Sequence, residues 1–574
     1  MPAGEPAAFP RRRGLLVLGA VLIGFAAIAV QAVRLGLTPP APARAVPGDQ
    51  AATSYARPDI VDRNGRLLAT DIEAHSLFVD PALVFDRLEL IEKLTQVIPD
   101  LTEAELGRLL SDRSRRFVWV RRGLGPRTAQ RIHDLGLPGL GFRKEWRRAY
   151  PAGSLAGHAI GRVNGENAGV SGLEKAIDDA GASERLSAGT RPQLPPFRIS
   201  IDIGVQHGVE STLADAMRRY EAQGAAAILM DVSNGEVVAS ASLPAPDPGK
   251  PADFLDATRF DRVLAGTYEL GSIFKAVTIA EALDAGTIGL DALFDVREPL
   301  RAGPFIIKEA HPPDRLLSVR DIFLQSSNVG AGMIALRSGS EAQRAFLGRL
   351  GLLTGRRTEA GAVPGPQMPE TWGRAETITI SYGHGLAVAP IQFAAALSAL
   401  VNGGAAVTPT FRPGTRLEPQ PRVVSPATSA AMRELFRLNV THASGTGRRA
   451  EVSGYRIGGK TGTAEMAGIG GYQKKAVISS FAAAFPMDAP RYALLVMLFE
   501  PKGQAETRGQ ITAGVNAAPT AGRIVARVAP ILGVAPRGIP SRLAASQPAA
   551  RIEAAVISKP GESGVEFDAP DDAQ

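Results

Sequence analysis

The sequence predicts an α+β protein with one membrane-spanning helix at its N-terminus. Segments 225–243 and 476–499 each contain two apolar runs joined by a turn, a pattern typical of paired antiparallel strands. Around residues 272–280 and 319–336, apolar residues instead recur at helical spacing. A chain of 574 residues is long enough for two to four domains of this kind.

The membrane anchor is predicted from a basic cluster followed by an apolar stretch. Arg11, Arg12 and Arg13 precede Gly14–Val33, which is apolar except for Gln31. At 1.5 Å per residue this stretch spans about 30 Å, the thickness of a bilayer core. Positive residues remain on the cytoplasmic side. We therefore expect residues 1–13 in the cytoplasm, an anchor at 14–34 and the rest of the chain outside the inner membrane, in the periplasm.

A cleaved signal peptide is the alternative to a retained anchor. Ala43-Arg44-Ala45 fits the small-x-small pattern of a cleavage site. The apolar stretch is longer than the usual apolar region of a signal peptide, which is about 7 to 15 residues. This length favours the retained anchor.

Composition excludes several classes of protein. The net charge of +7 is small for this length, and no basic run is interleaved with aromatic residues, so nucleic-acid binding has little support. The chain has no cysteine, which excludes disulfides, thiolate catalysis and cysteine-ligated metals. Its seven histidines are scattered without metal-ligand spacing. We expect neither a metal nor a cofactor.

Changes in composition and turn signals divide the rest of the chain. A Pro/Ala-rich linker at 35–55 is followed by a hairpin around Asn64-Gly65. This hairpin opens a first domain at 56–196, with a helical insertion expected around 88–137. A strand and helix at Phe197–Glu210 open a second domain, at 197–538. The Ala/Pro-rich and charged tail, 539–574, is predicted to be disordered.

A possible nucleophile and base lie in the segment GTYELGSIFKAVTIA, residues 266–280. Ser272 and Lys275 are three residues apart where a glycine-led turn enters an apolar-periodic helix, so both side chains lie on one helical face. A neutral lysine one turn away can remove the proton of a serine hydroxyl. Its pKa must then fall from about 10.4 to roughly 7 or 8, through burial or a second cation. Alone, the spacing is also compatible with a helix cap and a surface lysine.

Two later segments strengthen the catalytic interpretation. Ser326-Ser327-Asn328 lies between two apolar helical patterns, so it is predicted to form an exposed turn at a rigid corner. Ser327, in the middle, is expected to point inward only weakly. The segment YRIGGKTGTAE, residues 455–465, is predicted to be a strand with Lys460, Thr461 and Thr463 around Gly462. Its composition favours a strand whose backbone is exposed to a ligand over a buried strand.

Ser-x-x-Lys, Ser-x-Asn and Lys-Thr-Gly in this order resemble the signature of the penicillin-binding proteins and class A β-lactamases. The resemblance extends over about 190 residues, with Ser327 where some relatives have aspartate. The hairpin opening at Arg57 and the segment 148–175 are also similar to the pedestal of class B penicillin-binding proteins. The implied fold has an elongated α+β pedestal and a β-lactamase-like transpeptidase domain, an antiparallel sheet with helices on both sides.

The resemblance also implies a role for each motif residue. Ser272 would be the nucleophile, Lys275 its base, Ser326 a proton relay and Lys460 the second cation. Asn328 would bind the substrate amide.

The Lys-Thr-Gly strand would complete the binding site. Thr461, Gly462 and Thr463 would line the substrate, and both threonine hydroxyls would meet its carboxylate. The backbone N–H groups of Ser272 and Thr463 would form the oxyanion hole. The substrates implied are peptidoglycan stem peptides ending in D-Ala-D-Ala, with β-lactams as inhibitors.

Within the family, one anchor, a pedestal and no extra glycosyltransferase domain indicate class B. The segment SYGHGLAVAPIQ, residues 381–392, is more similar to the septal cell-division enzyme than to the elongation enzyme. A polytopic septal glycan polymerase and other division proteins would then be partners. The alternatives are an elongation-type transpeptidase, a β-lactamase and a β-lactam sensor.

A β-lactamase would need a base that activates water, such as the glutamate of a Glu-x-x-Leu-Asn loop. The nearest match, Glu434–Asn439, has one residue too many and lies on a predicted amphipathic helix, so Glu434 is expected to be solvated. Glu370 and Glu376 lie in the same interval without the pattern. The sequence leaves open a base of another kind.

Overall fold

The structure is a computed structural model that describes residues 19, 21–31, 55–185, 194–302, 305–309, 312–414, 421–468 and 471–537. The predicted cytoplasmic segment, nearly all of the linker and the tail at 539–574 lie outside the described residues. Of the predicted anchor only residues 19 and 21–31 are described, and they are helical. Among the described helices, none combines the length and the apolar character needed to cross a membrane.

The chain forms two compact units. The described residues of the smaller unit are 19, 21–31 and Glu73–Glu145. The larger unit combines Tyr55–Ile72 with the chain from Trp146 onward.

The helices expected around 88–137 are present in the smaller unit, together with a strand that was not expected. The segment Glu73–Glu145 of this unit contains three helices, and Asp86 and Thr102 cap the first two by accepting backbone N–H groups of the first turn. It also contains a strand, Val118–Leu124, which pairs antiparallel with the end of the strand Leu67–Val79. In the sequence of this strand Arg121 and Arg122 interrupt the apolar pattern after three residues. The helices are Arg87–Val97, Glu103–Leu109 and Pro126–His133.

The hairpin predicted at the start of the larger unit is confirmed. Strands Ile60–Val61 and Leu67–Val79 pair antiparallel, and Phe197–Arg198 pairs parallel with the first of them. The Asp62 carboxylate accepts the N–H groups of Asn64 and Arg66, both at 2.8 Å, which fixes the turn. The other short strands of the first part of the chain are Tyr55–Ala56, Glu184–Arg185 and Leu140–Ala149.

A buried ionic network connects the beginning of the larger unit to residues 146–178. Arg57 donates to the Glu174 carboxylate at 2.8 Å and to Asp178 at 2.6 Å. Arg148 donates to Glu174 at 2.7 Å and to Asp71 at 3.1 Å. The side chains of Arg57, Arg148, Glu174 and Asp71 are fully buried, so each charge depends on its partners in place of water.

The predicted antiparallel sheet is present in the larger unit. It has five strands, in the spatial order Gly458–Gly468, Gly471–Phe485, Tyr492–Phe499, Gly224–Asp231 and Val237–Leu243, and every neighbouring pair is antiparallel. The hairpins predicted from the apolar runs are the pair Gly471–Phe485 with Tyr492–Phe499 and the pair Gly224–Asp231 with Val237–Leu243. The strand with Lys460 therefore lies at one edge of the sheet.

Helices cover both faces of this sheet, as predicted. In Gly224–Asp231, Ala226, Ile228 and Met230 pack into one core, whereas alternate residues pack into the other. The first core includes the helices Lys275–Asp284, Pro390–Val401 and Pro426–Thr441. The second includes Ile203–Arg219 and Ala517–Val528.

The remaining elements surround these two layers. The helices are Gly157–Ile160, Gly172–Asp179, Val319–Gln325, Asn328–Ser338, Ser340–Arg349 and Arg374–Ser381. The short strands are Leu293–Phe294, Leu300–Ala302, Phe305–Ile307, Leu317–Ser318, Arg356–Thr358 and Gly361–Val363. The 3₁₀ helices are Pro251–Leu255, Ala257–Arg259, Gly271–Phe274, Arg448–Ala450 and Ala505–Thr507.

Candidate active site

Ser272 lies on a tight turn that leads into a buried helix. The 3₁₀ turn Gly271–Phe274 continues directly into the helix Lys275–Asp284. Gly271 has φ +57°, and a Cβ atom at this position would come 2.8 Å from the Thr463 carbonyl oxygen. Only glycine permits this approach. The turn is therefore packed directly against the strand that contains the third motif.

The lysine amine lies between the nucleophile and the second motif. Its Nζ is 2.8 Å from Ser272 Oγ, 3.1 Å from Ser326 Oγ and 2.7 Å from Asn328 Oδ1. It also donates to the Ser326 carbonyl at 2.6 Å. Three predicted residues, Ser272 from the first motif and Ser326 and Asn328 from the second, thus meet at the Lys275 nitrogen.

The turn predicted for the second motif is present. Ser326 has φ +63° and lies between the helices Val319–Gln325 and Asn328–Ser338. This left-handed conformation is uncommon for a residue with a side chain. It directs both the carbonyl and the hydroxyl of Ser326 toward Lys275.

The surroundings of Lys275 favour its neutral form. Its side chain is completely buried, and this burial, followed by the positive charge of Lys460, lowers its pKa well below the ordinary lysine value. A neutral amine has two hydrogens and one lone pair. It can therefore donate to Ser326 and Asn328 while accepting the proton of the Ser272 hydroxyl.

The Lys-Thr-Gly strand is buried, and the expectation of an exposed strand was wrong. Lys460 is fully buried and Thr461 is 7 % exposed. Helix Pro426–Thr441 and the turn Gly271–Phe274 pack against this strand, although it lies at the sheet edge. Burial lowers the pKa of Lys460 to about 7, and its Nζ lies 5.7 Å from the ring centre of Phe323. Lys460 is therefore a partial rather than a permanent cation near pH 7.

Gly462 is required by packing against the nucleophile turn. A Cβ atom there would be 2.5 Å from the Leu270 carbonyl oxygen and 2.6 Å from Ser480 Oγ. Two glycines, one in each segment, thus bring the turn and the strand together. This contact places Ser272 beside Thr463.

A cavity of about 1000 Å³ opens above these residues. Ser272, Ser326, Thr461 and Thr463 are among its lining residues. Thr463 Oγ1 accepts the Ala513 N–H at 3.1 Å, which leaves its own hydrogen free to donate to a ligand. Thr461 Oγ1 donates to the Thr446 hydroxyl at 2.7 Å. Both hydroxyls predicted to bind a carboxylate therefore face one space.

Ser327 is buried, contrary to the weak inward orientation expected. It is 1 % exposed, and its Oγ accepts the Gly330 N–H at 2.8 Å as the cap of helix Asn328–Ser338. Its hydroxyl donates to Glu309 Oε1 at 2.6 Å. Ser327 thus fixes the start of the helix that carries Asn328.

No pattern in the sequence indicates a functional role for Glu309. Its Oε1 accepts the Ser327 hydroxyl and, at 2.9 Å, the Val329 N–H. Its negative charge opposes the lowering of the Lys275 pKa. Glu309 is therefore a positioning residue for the second motif, one with an electrostatic effect on the base. A single acidic residue 18 positions before its partner leaves no signal in the sequence.

None of the three glutamates considered as hydrolytic bases lines the cavity. Glu434 is exposed and paired with Arg320, as expected for a solvated residue. Glu370 is exposed, and Glu376 accepts the Gly373 N–H at 2.9 Å. Glu451, which the sequence did not suggest, does line the cavity but is bonded to Arg437 at 2.6 and 2.9 Å.

Comparisons with known proteins agree with this site. Residues 225–524 match the model of the penicillin binding protein transpeptidase domain, and residues 53–186 match the penicillin-binding protein dimerisation domain. The chain therefore belongs to the penicillin-binding protein transpeptidase family, and the two matched domains identify it as class B.

Curated relatives make the family assignment more specific. The chain is 39 % identical over 489 residues to the "Probable peptidoglycan D,D-transpeptidase FtsI" of Caulobacter vibrioides, covering 83 % of this chain and 82 % of the relative. It is 29 % identical to the peptidoglycan D,D-transpeptidase FtsI of Escherichia coli, covering 84 % and 85 %. The chain is thus a class B penicillin-binding protein of the FtsI type.

A solved structure supports the same fold. Penicillin binding protein 3 from Mycobacterium tuberculosis, complexed with aztreonam, aligns with a TM-score of 0.64 at 24 % identity. The alignment covers 84 % of this chain and 97 % of that one.

Lys275→Arg is expected to reduce acylation by penicillin to less than a tenth of the wild-type rate, because arginine remains protonated at every relevant pH. The wild-type rate should rise as pH rises through the lowered pKa of Lys275 and then level off. Stopped-flow acylation across pH measures both effects. Lys502→Arg, at an exposed position, is the matched control. A Lys275→Arg variant with more than a tenth of wild-type activity would rule out Lys275 as the base.

Glu309→Gln tests the charge of Glu309 separately from its hydrogen bonds. Glutamine can still accept from Ser327 and Val329 but carries no charge, so the acid limb of the acylation profile should move to lower pH. Glu309→Ala removes the acceptor as well and should slow acylation at every pH. An unchanged acid limb in Glu309→Gln, with unchanged rates in Glu309→Ala, would contradict both effects.

Proposed function

We propose that this protein is a serine D,D-transpeptidase that cross-links peptidoglycan stem peptides through an acyl-enzyme, during septal wall synthesis in cell division. The observation that carries the proposal is the position of one buried amine within hydrogen-bonding distance of both Ser272 and Ser326. This arrangement supplies a nucleophile, a base and a proton relay in one place.

Acylation begins when Ser272 Oγ attacks the carbonyl carbon of the penultimate D-Ala. Lys275 takes the hydroxyl proton, and the backbone N–H groups of Ser272 and Thr463 stabilise the negative charge on the carbonyl oxygen. Removing one donor of this kind typically costs about 100- to 1000-fold in rate. The C–N bond then breaks, and the leaving D-Ala amine receives the proton from Lys275 through Ser326. Thr463 donates its hydroxyl to the leaving carboxylate, and Thr461 does the same when its hydroxyl rotates away from Thr446. Asn328 binds the donor amide through its Nδ2.

In the second half of the reaction an amine of a neighbouring stem attacks the ester. A new C–N bond forms, the bond from carbon to Ser272 Oγ breaks, and the proton lost by the amine returns to Ser272 Oγ through Lys275. Hydrolysis would instead need a base that holds a water beside the ester. Among the described residues that line the cavity, Glu451 is the one with a carboxylate, and this carboxylate accepts hydrogen bonds from Arg437. The pairing of this carboxylate favours transfer of the acyl group to an amine over hydrolysis of the ester.

The septal role is supported by the names of two relatives and by residues 381–392. Both relatives compared above are named FtsI. A polytopic septal glycan polymerase and other division proteins are the partners we propose, bound through the anchor and the pedestal. An elongation role is the alternative, and a β-lactamase or β-lactam sensor has less support.

The proposed organisation is that of a single-pass inner-membrane protein. It has a cytoplasmic N-terminus at 1–13, an anchor at 14–34, a linker at 35–55, a pedestal at 56–196, a transpeptidase domain at 197–538 and a tail to residue 574. The basic cluster before the apolar stretch supports this orientation.

Treatment of the protein with penicillin should place the adduct on the peptide containing Ser272, and Ser272→Ala should form none. The adduct should persist for many minutes, with negligible nitrocefin turnover, because no free carboxylate among the described lining residues can activate water. Mass spectrometry locates the adduct and follows its loss. An adduct on Ser326 would contradict the assignment of Ser272 as the nucleophile. Sustained turnover, abolished by changing Glu370, Glu376, Glu434 or Glu451 to Gln, would identify a β-lactamase.

A pair of reporter fusions tests the proposed membrane topology. Alkaline phosphatase fused after Gln574 should be active, and a reporter that works only in the cytoplasm should be silent at the same position. The opposite pair of results would overturn the proposed orientation.

A further inference from the structure

A buried serine lies behind the contact between the nucleophile turn and the strand that contains Lys460. Ser480, on the strand Gly471–Phe485, faces Gly462 in the antiparallel pairing of the two strands and is 1 % exposed. Its Oγ is 3.2 Å from the carbonyl oxygen of Gly462 and 3.4 Å from that of Leu270. Ser480 is not among the described residues that line the cavity, so it acts on the site through these two neighbours.

The single hydroxyl hydrogen of Ser480 is shared between two carbonyl groups. Both oxygen–oxygen distances exceed the usual length of an O–H···O bond, about 2.7 to 2.8 Å, as expected when one hydrogen has two acceptors. Gly462 permits this approach, because a Cβ atom there would lie 2.6 Å from Ser480 Oγ. Ser480 therefore joins the residue before the nucleophile turn to the strand that contains Lys460.

The Gly462 carbonyl belongs to the same peptide group as the Thr463 N–H. This group is planar, and its C=O and N–H bonds point in opposite directions when the peptide is trans. A hydrogen bond to the carbonyl oxygen therefore fixes the direction of the N–H. It also makes the N–H a stronger donor, because hydrogen bonds in a chain polarise one another. In the function proposed above, this N–H is one of the two donors to the carbonyl oxygen of the substrate.

The Leu270 carbonyl belongs to a peptide group that is held at both ends. The same peptide group contains the Gly271 N–H, which donates to the Gly383 carbonyl at 3.2 Å. The next peptide along the chain contains the Ser272 N–H, the other donor of the proposed pair. Ser480 thus contacts the peptide group that carries one donor and the neighbour of the peptide group that carries the other.

We propose that Ser480 is a positioning residue for the oxyanion hole, which orients and polarises the Thr463 N–H and fixes the peptide before Ser272. This inference rests on the transpeptidase function proposed above. Negative charge appears on the substrate oxygen only as Ser272 attacks. The contribution of Ser480 is therefore made in the transition state and not in the initial complex. Ser480 itself takes no part in bond making.

Ser480→Ala removes the hydroxyl with little change of shape. Rapid mixing of the full-length protein in detergent with several concentrations of penicillin separates the acylation rate constant from the dissociation constant of the initial complex. The rate constant should fall about 3- to 10-fold, the usual effect of one lost hydrogen bond. The dissociation constant should be unchanged, because penicillin binds before the charge develops.

The ester carbonyl of the acyl-enzyme reports directly on the oxyanion hole. Penicillin labelled with ¹³C at its β-lactam carbonyl gives a penicilloyl-Ser272 ester whose stretching band can be isolated by infrared difference spectroscopy. Hydrogen bonds to a carbonyl oxygen weaken the C=O bond and lower the frequency of this band. The band should therefore move to higher frequency in Ser480→Ala, a shift that a general loss of stability does not produce.

Two further variants separate this effect from the loss of a buried hydroxyl in general. Ser398→Ala makes the same change at a fully buried serine whose hydroxyl donates to the Ala394 carbonyl of its own helix at 2.8 Å, and it should leave the rate constant and the band unchanged. Ser480→Cys keeps a similar shape with a weaker donor, so both values should lie between those of the wild type and Ser480→Ala. If Ser480→Ala does not fold, the same measurements on Ser480→Cys decide the question.

The possible failures are distinguishable. An unchanged band in Ser480→Ala would overturn the role of Ser480, whatever the rate constant does, and would leave the transpeptidase function in place. An effect confined to the dissociation constant would overturn it as well. The absence of a penicilloyl adduct on Ser272 in the wild type would instead contradict the proposed function, and this inference with it.

Discussion

The active site depends on the burial of one amine. Lys275 has no exposed surface, and its hydrogen-bond partners are two serines and an asparagine. Transfer of a charged amine into such a site is costly, so the neutral form is favoured and the lysine becomes a base. The positive charge of Lys460 acts in the same direction and Glu309 acts against it. Catalysis thus depends on a balance of desolvation and two opposite charges.

The transpeptidase fold positions the groups that produce this balance. The strand with Lys460 is the edge strand of a five-stranded sheet, the helix that starts at Lys275 packs in one of the two cores, and the second motif is the corner between two further helices. Glycines at 271 and 462 let the turn and the strand approach within contact distance of each other's backbone. A side chain at either position would separate Ser272 from Thr463.

A second level of organisation surrounds the reacting groups. Ser327 and Glu309 hold the second motif, and Asn439 holds the loop that borders the cavity. These residues keep the functional groups in place through buried hydrogen bonds, which are difficult to break because each lost partner leaves a polar atom without water. The residues that line the cavity supply the hydroxyl groups of Ser326, Thr461 and Thr463 as well as that of Ser272.

The sequence by itself determined the three motifs, their order and the apolar runs of the strands. These features are local: a strand shows alternate burial, a helix shows its period, and Ser272 and Lys275 are neighbours on one helical turn. The antiparallel sheet, the hairpin at Asn64-Gly65 and the corner at Ser326 could all be predicted in this way.

The tertiary structure alone decided what surrounds those motifs. The Lys460 strand is buried because a helix and a turn from other parts of the chain pack against it. Its own small and polar residues had predicted an exposed strand. Glu309 and Asn439 have no pattern in the sequence that connects them to the motifs. The strand Val118–Leu124 also became apparent only from its pairing with Leu67–Val79. Contacts between distant segments are set by packing of the whole chain. A single sequence shows which segments form helices and strands, but it does not show which of these segments contact each other.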